Sequence, residues 1–433
     1  GDIAYIQKSL AITQTQTYRL AIFVKYFSGF VPINSFVEMS DVLATTSSQL
    51  PRLLGAYQES NIVVLFLNNY ELRPGGGFIG SLGFITFKDY SIIKFEVQDV
   101  YEIDGQQTTH NEPHYAVRKY LNQPNEFLRD SNFSPEFSVV AQKAIQYLSY
   151  IPAHNQPYVL VIGITTSAFE QLLQLTGPIE LTDYNTTITS TNFFTTTQRK
   201  IENKFFPGSK QKRSVLQSLG NAMRQRIDEL PLLDILEYIF NSVRTKNLVF
   251  FASERHLQNL LAMLDATGNQ VSIYENWILP VDANVGVNKM DALVRKILEL
   301  RVSHDKKTMT QNLKSTYTNT ITADATEKEN YRNYFQLYLP KEATFKKALL
   351  NGSDISEQII SAQERGSMVY AVYFDTPPAT STTISITYEL PYNSSMGLVH
   401  FQKQIGSKTS PLTVIYQGET TKVKQTLLET DEV

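Results

Sequence analysis

The chain contains no cysteine, which removes disulfides, thiolate metal sites and thiol nucleophiles together. Its six histidines are scattered along 433 residues, so no Ser/His/Asp set can be nominated, and no serine sits in a Gly-x-Ser-x-Gly elbow. Charge of either sign is nearly balanced at a formal net −3. Without a basic stripe interleaved with aromatics, nucleic acid is not an expected partner. No apolar run reaches the roughly 18 residues that span a bilayer. The chain opens Gly-Asp-Ile-Ala, without Met and a basic region, and an N-terminal signal or membrane anchor is expected upstream of Gly1. A single Trp stands beside 24 Tyr and 24 Phe. That composition favours strands and exposed polar loops, and leans towards an envelope or surface protein.

The length implies two or three domains. Over 1–58 apolar residues recur at helical spacing, with Pro32 and Pro51 as breaks, which predicts a helical lead or stalk. Over 59–270 short apolar runs alternate with helical segments, the pattern of an α/β domain with a mixed sheet and flanking helices. Over 281–418 helix signals vanish. Seven strand-like runs, broken by Asn-Gly, Pro-Pro and Pro-Tyr-Asn turns, predict a C-terminal β-sandwich of immunoglobulin-like type. Residues 419–433 are polar and are expected to be a frayed tail.

The most abrupt stretch is Asn68-Asn69-Tyr70-Glu71-Leu72-Arg73-Pro74-Gly75-Gly76-Gly77-Phe78-Ile79-Gly80-Ser81, a glycine-dense polar turn between two apolar strands. Three consecutive glycines allow positive φ and close approach to a ligand or another chain, while Arg73 and Glu71 supply fixed charge. It is neither a Gly-x-Gly-x-x-Gly fingerprint nor a P-loop. Asn68, Asn69, Glu71 and Gly75 to Gly77 are the candidate ligand-binding residues. Downstream, Glu96, Asp99, Glu102 and Asp104 place four acids within nine residues. Carboxylates at strand ends suit a divalent metal or acid–base work, though helix and turn capping is the ordinary use of Glu96 and Glu102. Asp99 and Asp104 are the candidate metal ligands. In Phe127-Leu128-Arg129-Asp130, Arg129 could clamp a phosphate, or pair locally with Asp130. Lys289, in Asn284-Val285-Gly286-Val287-Asn288-Lys289, lies at the junction of the two domains, where it either reaches the site or belongs to a latch. His110-Asn111-Glu112-Pro113-His114 imitates a metal motif, but Pro113 breaks the helix such a motif needs.

Together these motifs resemble a bacterial family catalogued only as a domain of unknown function, the one numbered 4012. Its signature is matched by the glycine turn, by Val100-Tyr101-Glu102-Ile103-Asp104-Gly105, by Leu128 to Phe137, by Leu175-Thr176-Gly177-Pro178-Ile179-Glu180, and further on by Tyr331-Arg332-Asn333-Tyr334 and Gln402-Lys403-Gln404-Ile405-Gly406. The resemblance implies an exported or membrane-anchored envelope protein. The order of elements is more distantly similar to the LytR-CpsA-Psr phosphotransferases, which attach lipid-pyrophosphate-linked glycopolymers to the cell wall. That likeness implies a catalytic set of Arg73, Asp99, Asp104, Arg129 and Asp130, with the two arginines on the anion and Mg²⁺ on Asp99 or Asp104. Where those enzymes place an Asp at the end of the first strand, this chain has Asn68-Asn69. The expected function is recognition or transfer of a cell-envelope glycopolymer or polyprenyl-pyrophosphate lipid. The competing reading is a non-catalytic surface, scaffold or adhesion protein.

Overall fold

The computed structural model describes residues 49–196, 210–270, 274–322, 329–392, 398–418 and 420–432. Most of the expected helical lead at 1–58 lies outside them. The first sheet is mixed, in the order β3-β2-β1-β4-β7, from β1 (Ser60–Asn68), β2 (Phe78–Lys88), β3 (Ser91–Asp99), β4 (Tyr158–Thr165) and β7 (Leu248–Ala252). A two-stranded ribbon of β5 (Ile179–Leu181) and β6 (Thr186–Ile188) stands apart from it. β1 is the central strand, antiparallel to β2 and parallel to β4. Its residues Val63, Leu65 and Leu67 meet Phe137, Val140, Ala144 and Leu148 of the helix Phe137–Ser149 in one core. The edge at β3 is covered: Gln217, on the helix Lys210–Asp228, accepts from Val97 N–H and donates to the Phe95 carbonyl. That contact closes an otherwise open ladder. Among the described residues no helix is long and apolar enough to cross a membrane.

The C-terminal half is two sheets face to face. One has the order β13-β12-β16-β10-β9-β18-β19 and the other β14-β15-β11-β8-β17. In chain order these are β8 (Trp277–Val281), β9 (Val294–His304), β10 (Thr308–Asn319), β11 (Tyr331–Pro340), β12 (Thr344–Leu350), β13 (Ser353–Asp354), β14 (Ile360–Glu364), β15 (Ser367–Thr376), β16 (Ser381–Pro391), β17 (His400–Phe401), β18 (Ser410–Gln417) and β19 (Thr421–Leu428). β10 and β16 bury every second residue, the period of a sheet with one face on a core. β8 is buried throughout and β11 at all but one position. Both faces of that sheet are used: Phe335, Leu337 and Leu339 face the sandwich core, while Tyr334 packs with Ala116, Val117 and Phe133 of the first unit.

The polar C-terminal stretch, expected as a frayed tail over 419–433, is instead an element of the sheet. Residues 421–428 form the edge strand β19 in full register with β18. Beyond it Asp431 pairs with Lys246 at 2.8 Å and accepts from Lys403 N–H at 2.7 Å, and Glu432 exchanges backbone bonds with Phe401. Exposure on both faces of β19 gives it the composition of a tail. The segment held in this way, 402–406, reaches the glycine turn of the first unit. A Cβ on Gly406, whose φ is +69°, would sit 2.3 Å from the Gly76 carbonyl oxygen.

Two outcomes are expected. Gly406→Val forces both a left-handed backbone and a backbone clash, and lowers stability by about 2–4 kcal/mol in urea denaturation. Lys403 is fully buried, and burial, reinforced by Lys246, pulls its ammonium down to about 7. The unfolded chain therefore binds more protons than the folded one between that value and the ordinary 10.5, so this group makes stability rise with pH across the window. Stability of Lys403→Met, followed from pH 7 to 9, rises less steeply than that of the wild type.

Candidate functional site

The turn between β1 and β2 is folded by its own backbone first. Glu71 N–H bonds the Asn68 carbonyl, Gly76 N–H bonds the Arg73 carbonyl, and Phe78 N–H bonds the Glu71 carbonyl. Asn68 Oδ1 accepts from Tyr70 N–H. Gly76 and Gly77 have φ of +113° and +142°, and a Cβ on Gly77 would lie 2.4 Å from the Asn68 carbonyl carbon. No other residue type fits there. Residues 71–77 are all buried, so their remaining polar groups need protein partners.

Asn132 of the same unit serves two of them, its carbonyl accepting from Gly75 N–H at 2.9 Å and its Nδ2 donating to the Gly77 carbonyl; others are met from the C-terminal half. Asp291 Oδ2 accepts from Leu72 N–H at 3.0 Å, Asn284 N–H donates to the Leu72 carbonyl at 2.8 Å, and Gln404 Nε2 donates to the Arg73 carbonyl at 3.1 Å. Asn69 Nδ2 donates to the Gly406 carbonyl and to Ser167 Oγ. Arg73 is 3% exposed. Its guanidinium donates to the Asn284 carbonyl and pairs with Glu71 at 2.8 Å, and Lys289 reaches the other Glu71 oxygen at 3.1 Å. Asn69, Glu71, Arg73, Gly75 to Gly77 and Lys289 thus form one buried joint between the two halves. The glycines allow the close chain–chain approach seen here. Of the two readings of Lys289, the latch is the one its contacts describe.

The acids form an adjoining cluster. Asp99, fully buried, caps the helix Val100–Asp104 by accepting from Tyr101 N–H at 2.9 Å. Asp104 accepts from Leu128 N–H at 3.0 Å with one oxygen and meets Arg129 at 2.7 Å with the other. Burial raises its carboxyl to about 6 against the pull of Arg129. Burial likewise raises Asp130, opposed by Arg129 and then by Arg73. The two arginines therefore do converge beside one aromatic pair: Arg73 lies 6.0 Å from the Phe78 ring, Phe78 is 6.5 Å from Tyr101, and Arg129 is 5.3 Å from Tyr101. They converge in the interior. With one oxygen on an N–H and the other on a guanidinium, Asp104 holds the loop at Leu128. No group of three or more potential ligands that could hold a metal exists among the described residues. In the His110 to His114 segment, His114 caps the helix Tyr115–Tyr120, and burial lowers its imidazole to about 4.

The accessible feature beside this cluster is an open depression of about 470 Å³ lined by Gln98, Tyr101, Glu102, Gly105, Gln106, Ala153 and His154. Tyr101 is 39% exposed at its rim. His154 is stacked on Phe84 with centroids 4.2 Å apart, and Gln98 Oε1 lies 3.2 Å from its Nε2. None of the expected ligand-binding residues lines it. The exposed Tyr101, two residues past the helix cap Asp99 and flanked by acids, is the sequence signal for this surface. Gln98 and His154 carry none, because their positions depend on the pairing of β3 and on a distant 3₁₀ turn.

Comparison with known proteins adds little beyond the family. No curated protein matches the chain. Among solved structures, the Lin1025 protein of Listeria innocua is 11% identical with a TM-score of 0.28, covering 51% of this chain and 84% of its own. A candidate nutrient-binding protein of Legionella pneumophila is 13% identical with a TM-score of 0.23, over 33% of this chain and 54% of its own. An M1 zinc metallopeptidase of Deinococcus radiodurans is 10% identical with a TM-score of 0.18, over 31% and 38%. The chain thus spans only about half or less of the latter two proteins, and likeness at these scores carries no argument about fold or activity. The family match is specific, and it includes the glycine turn, the acid cluster and the Arg129 loop. Residues 58–201 match the model of the family described as Protein of unknown function (DUF4012).

Proposed function

We propose that this is a non-catalytic recognition protein of the cell envelope, which binds a glycopolymer at the depression around Tyr101 while its α/β unit and β-sandwich act as one rigid body. The observation that carries the reading is the partly exposed Tyr101 ring set among the side chains of Gln98, Glu102 and Gln106. A ring face for sugar C–H groups, with planar amides and a carboxylate for hydroxyls, is the usual chemistry of a saccharide site. Arg129, its side chain 15% exposed and stacked near the same ring, is the cation that would meet a phosphate of a lipid-pyrophosphate carrier. Location outside the cytoplasmic membrane is proposed from the resemblance to exported envelope proteins. Kinship of the α/β unit with the LytR-CpsA-Psr domain, and of the sandwich with immunoglobulin-like domains, belongs to the same proposal; the order of motifs and the mixed central sheet support it.

A second reading, Mg²⁺-dependent transfer of the polymer, is favoured by one observation: Arg73 and Arg129 both act on Asp130. It requires Arg73 to leave Glu71 and the Asn284 carbonyl. The first reading leaves Arg73 in place.

Calorimetric titration of soluble wall-polymer fragments and of a polyprenyl-pyrophosphate analogue, with and without Mg²⁺, separates the two. Tyr101→Ala is expected to weaken binding at least about tenfold, the scale of an aromatic anchor at an interface, with no effect of Mg²⁺. Undiminished binding by Tyr101→Ala removes the depression from the function. Arg73→Ala is expected to destabilise the fold by about 3–5 kcal/mol, because it leaves Glu71 and a carbonyl buried with fewer partners. Its folded fraction should keep wild-type affinity. Loss of Mg²⁺-dependent binding in folded Arg73→Ala protein would instead favour transfer.

A further inference from the structure

Within the β-sandwich a lysine, a carboxamide and a carboxylate meet where the apolar pattern calls for hydrocarbon. Lys296 on β9 has the same parity as Leu298, Leu300 and Val302, which face the core. Asn333 on β11 shares the parity of Tyr331, Phe335 and Leu337. Both side chains therefore point between the two sheets. Asp282, just after β8, receives both of them: Lys296 Nζ lies 2.6 Å from Asp282 Oδ2, and Asn333 Nδ2 donates to Asp282 Oδ1 at 2.8 Å. Tyr317, paired with Lys296 across β10 and β9, donates to the same Oδ1 at 2.6 Å. Asn333 and Tyr317 are at most 1% exposed and Asp282 3%.

The ordinary reading is a buried ion pair with two orienting hydrogen bonds, which gains little over apolar packing. It leaves one feature without a role. The Asn333 carboxamide is gripped at both ends, its nitrogen by Asp282 and its oxygen by Ala283 N–H at 3.1 Å. A donor on the oxygen and a proton-carrying group on the nitrogen are what displacement of an amide nitrogen requires.

We propose that Lys296 and Asn333 join in an intramolecular isopeptide bond, with Asp282 moving the protons. Within the pair one proton passes from Lys296 Nζ to Asp282 Oδ2, 2.6 Å away, leaving a neutral amine and a carboxylic acid. Lys296 Nζ attacks Asn333 Cγ, and the charge that develops on Oδ1 is held by Ala283 N–H. Asp282 delivers a proton to Nδ2 and takes one from Nζ. The Cγ–Nδ2 bond breaks and ammonia departs, leaving on protonation as ammonium. One C–N bond forms and one breaks, and nothing is oxidised or reduced. The product ties β9 of the seven-stranded sheet to β11 of the five-stranded sheet.

Intact-mass spectrometry of the denatured full chain, taken after the folded protein has been held until its mass is constant, tests this directly. The wild type is expected to be lighter than its sequence mass by one ammonia, and a protease digest to yield a branched peptide containing Lys296 and Asn333. Lys296→Arg and Asp282→Ala are expected at full sequence mass. A wild type at full sequence mass overturns the proposal, whatever the variants do. Loss of one water with the branch at Asp282 also overturns it, because the electrophile would then be the carboxylate.

Discussion

Arg73 sits buried at a point where two halves of the chain are joined. One guanidinium nitrogen serves Glu71 in its own turn and another serves the Asn284 carbonyl of the sandwich unit. Burying a nine-residue polar turn costs free energy at every unpaired N–H and C=O, on the order of 1–3 kcal/mol each. The turn cannot satisfy these groups alone, because its own bonds account only for groups of Asn68, Tyr70, Glu71, Arg73, Gly76 and Phe78. The glycine turn is therefore incomplete as a folded object until Asn284, Asp291, Gln404 and Gly406 arrive. The α/β unit and the sandwich are bound to each other by backbone satisfaction before any apolar contact is counted.

The same accounting explains the far end of the chain. Gln404 donates to both the Arg73 and Asp282 carbonyls, and its side-chain oxygen accepts from Asp282 N–H. It can do so only while the segment 400–406 is fixed. That segment is fixed by Asp431 and Glu432 on one side and by Lys246 on the other, whose carbonyl accepts from Gly406 N–H. Residues separated by more than three hundred positions thus share one hydrogen-bonded network. Such long-range closure is slow to form and cooperative once formed.

Much of this was legible before the structure and some was not. The turn announced itself by composition, β1, β2 and β4 by their apolar runs, and β10 and β16 as β-rich stretches that bury every second residue. Arg73 and the acids also stood out, yet their use did not. An arginine between a carboxylate and a carbonyl has the same letters whether the carbonyl belongs to a ligand or to Asn284, and only the second unit's position decides. β19 was hidden for the opposite reason: an edge strand exposed on both faces has no apolar period to read. Lys296, Asn333 and Asp282 lie on three separate strands or strand ends, and inward parity is their sole common mark. It becomes visible only when the sheets are paired.

The acids nominated for chemistry have a consequence for recognition all the same. The helix Val100–Asp104 is only five residues long, far too short to be stable on its own propensity. It is held at its start by the Asp99 cap and at its end by Asp104, which ties it to Leu128 N–H and to Arg129. Arg129 is in turn sandwiched against Phe127 at 4.2 Å and Tyr101 at 5.3 Å. A ring carried by so short a helix would ordinarily be mobile and would lose entropy on meeting a ligand. Fixed at both ends by buried carboxylates, Tyr101 is presented already ordered. Preorganisation of this kind lowers the cost of binding without adding a contact, and under the recognition proposed above it would be the contribution of Asp99, Asp104 and Arg129, one that needs neither a metal nor a proton transfer.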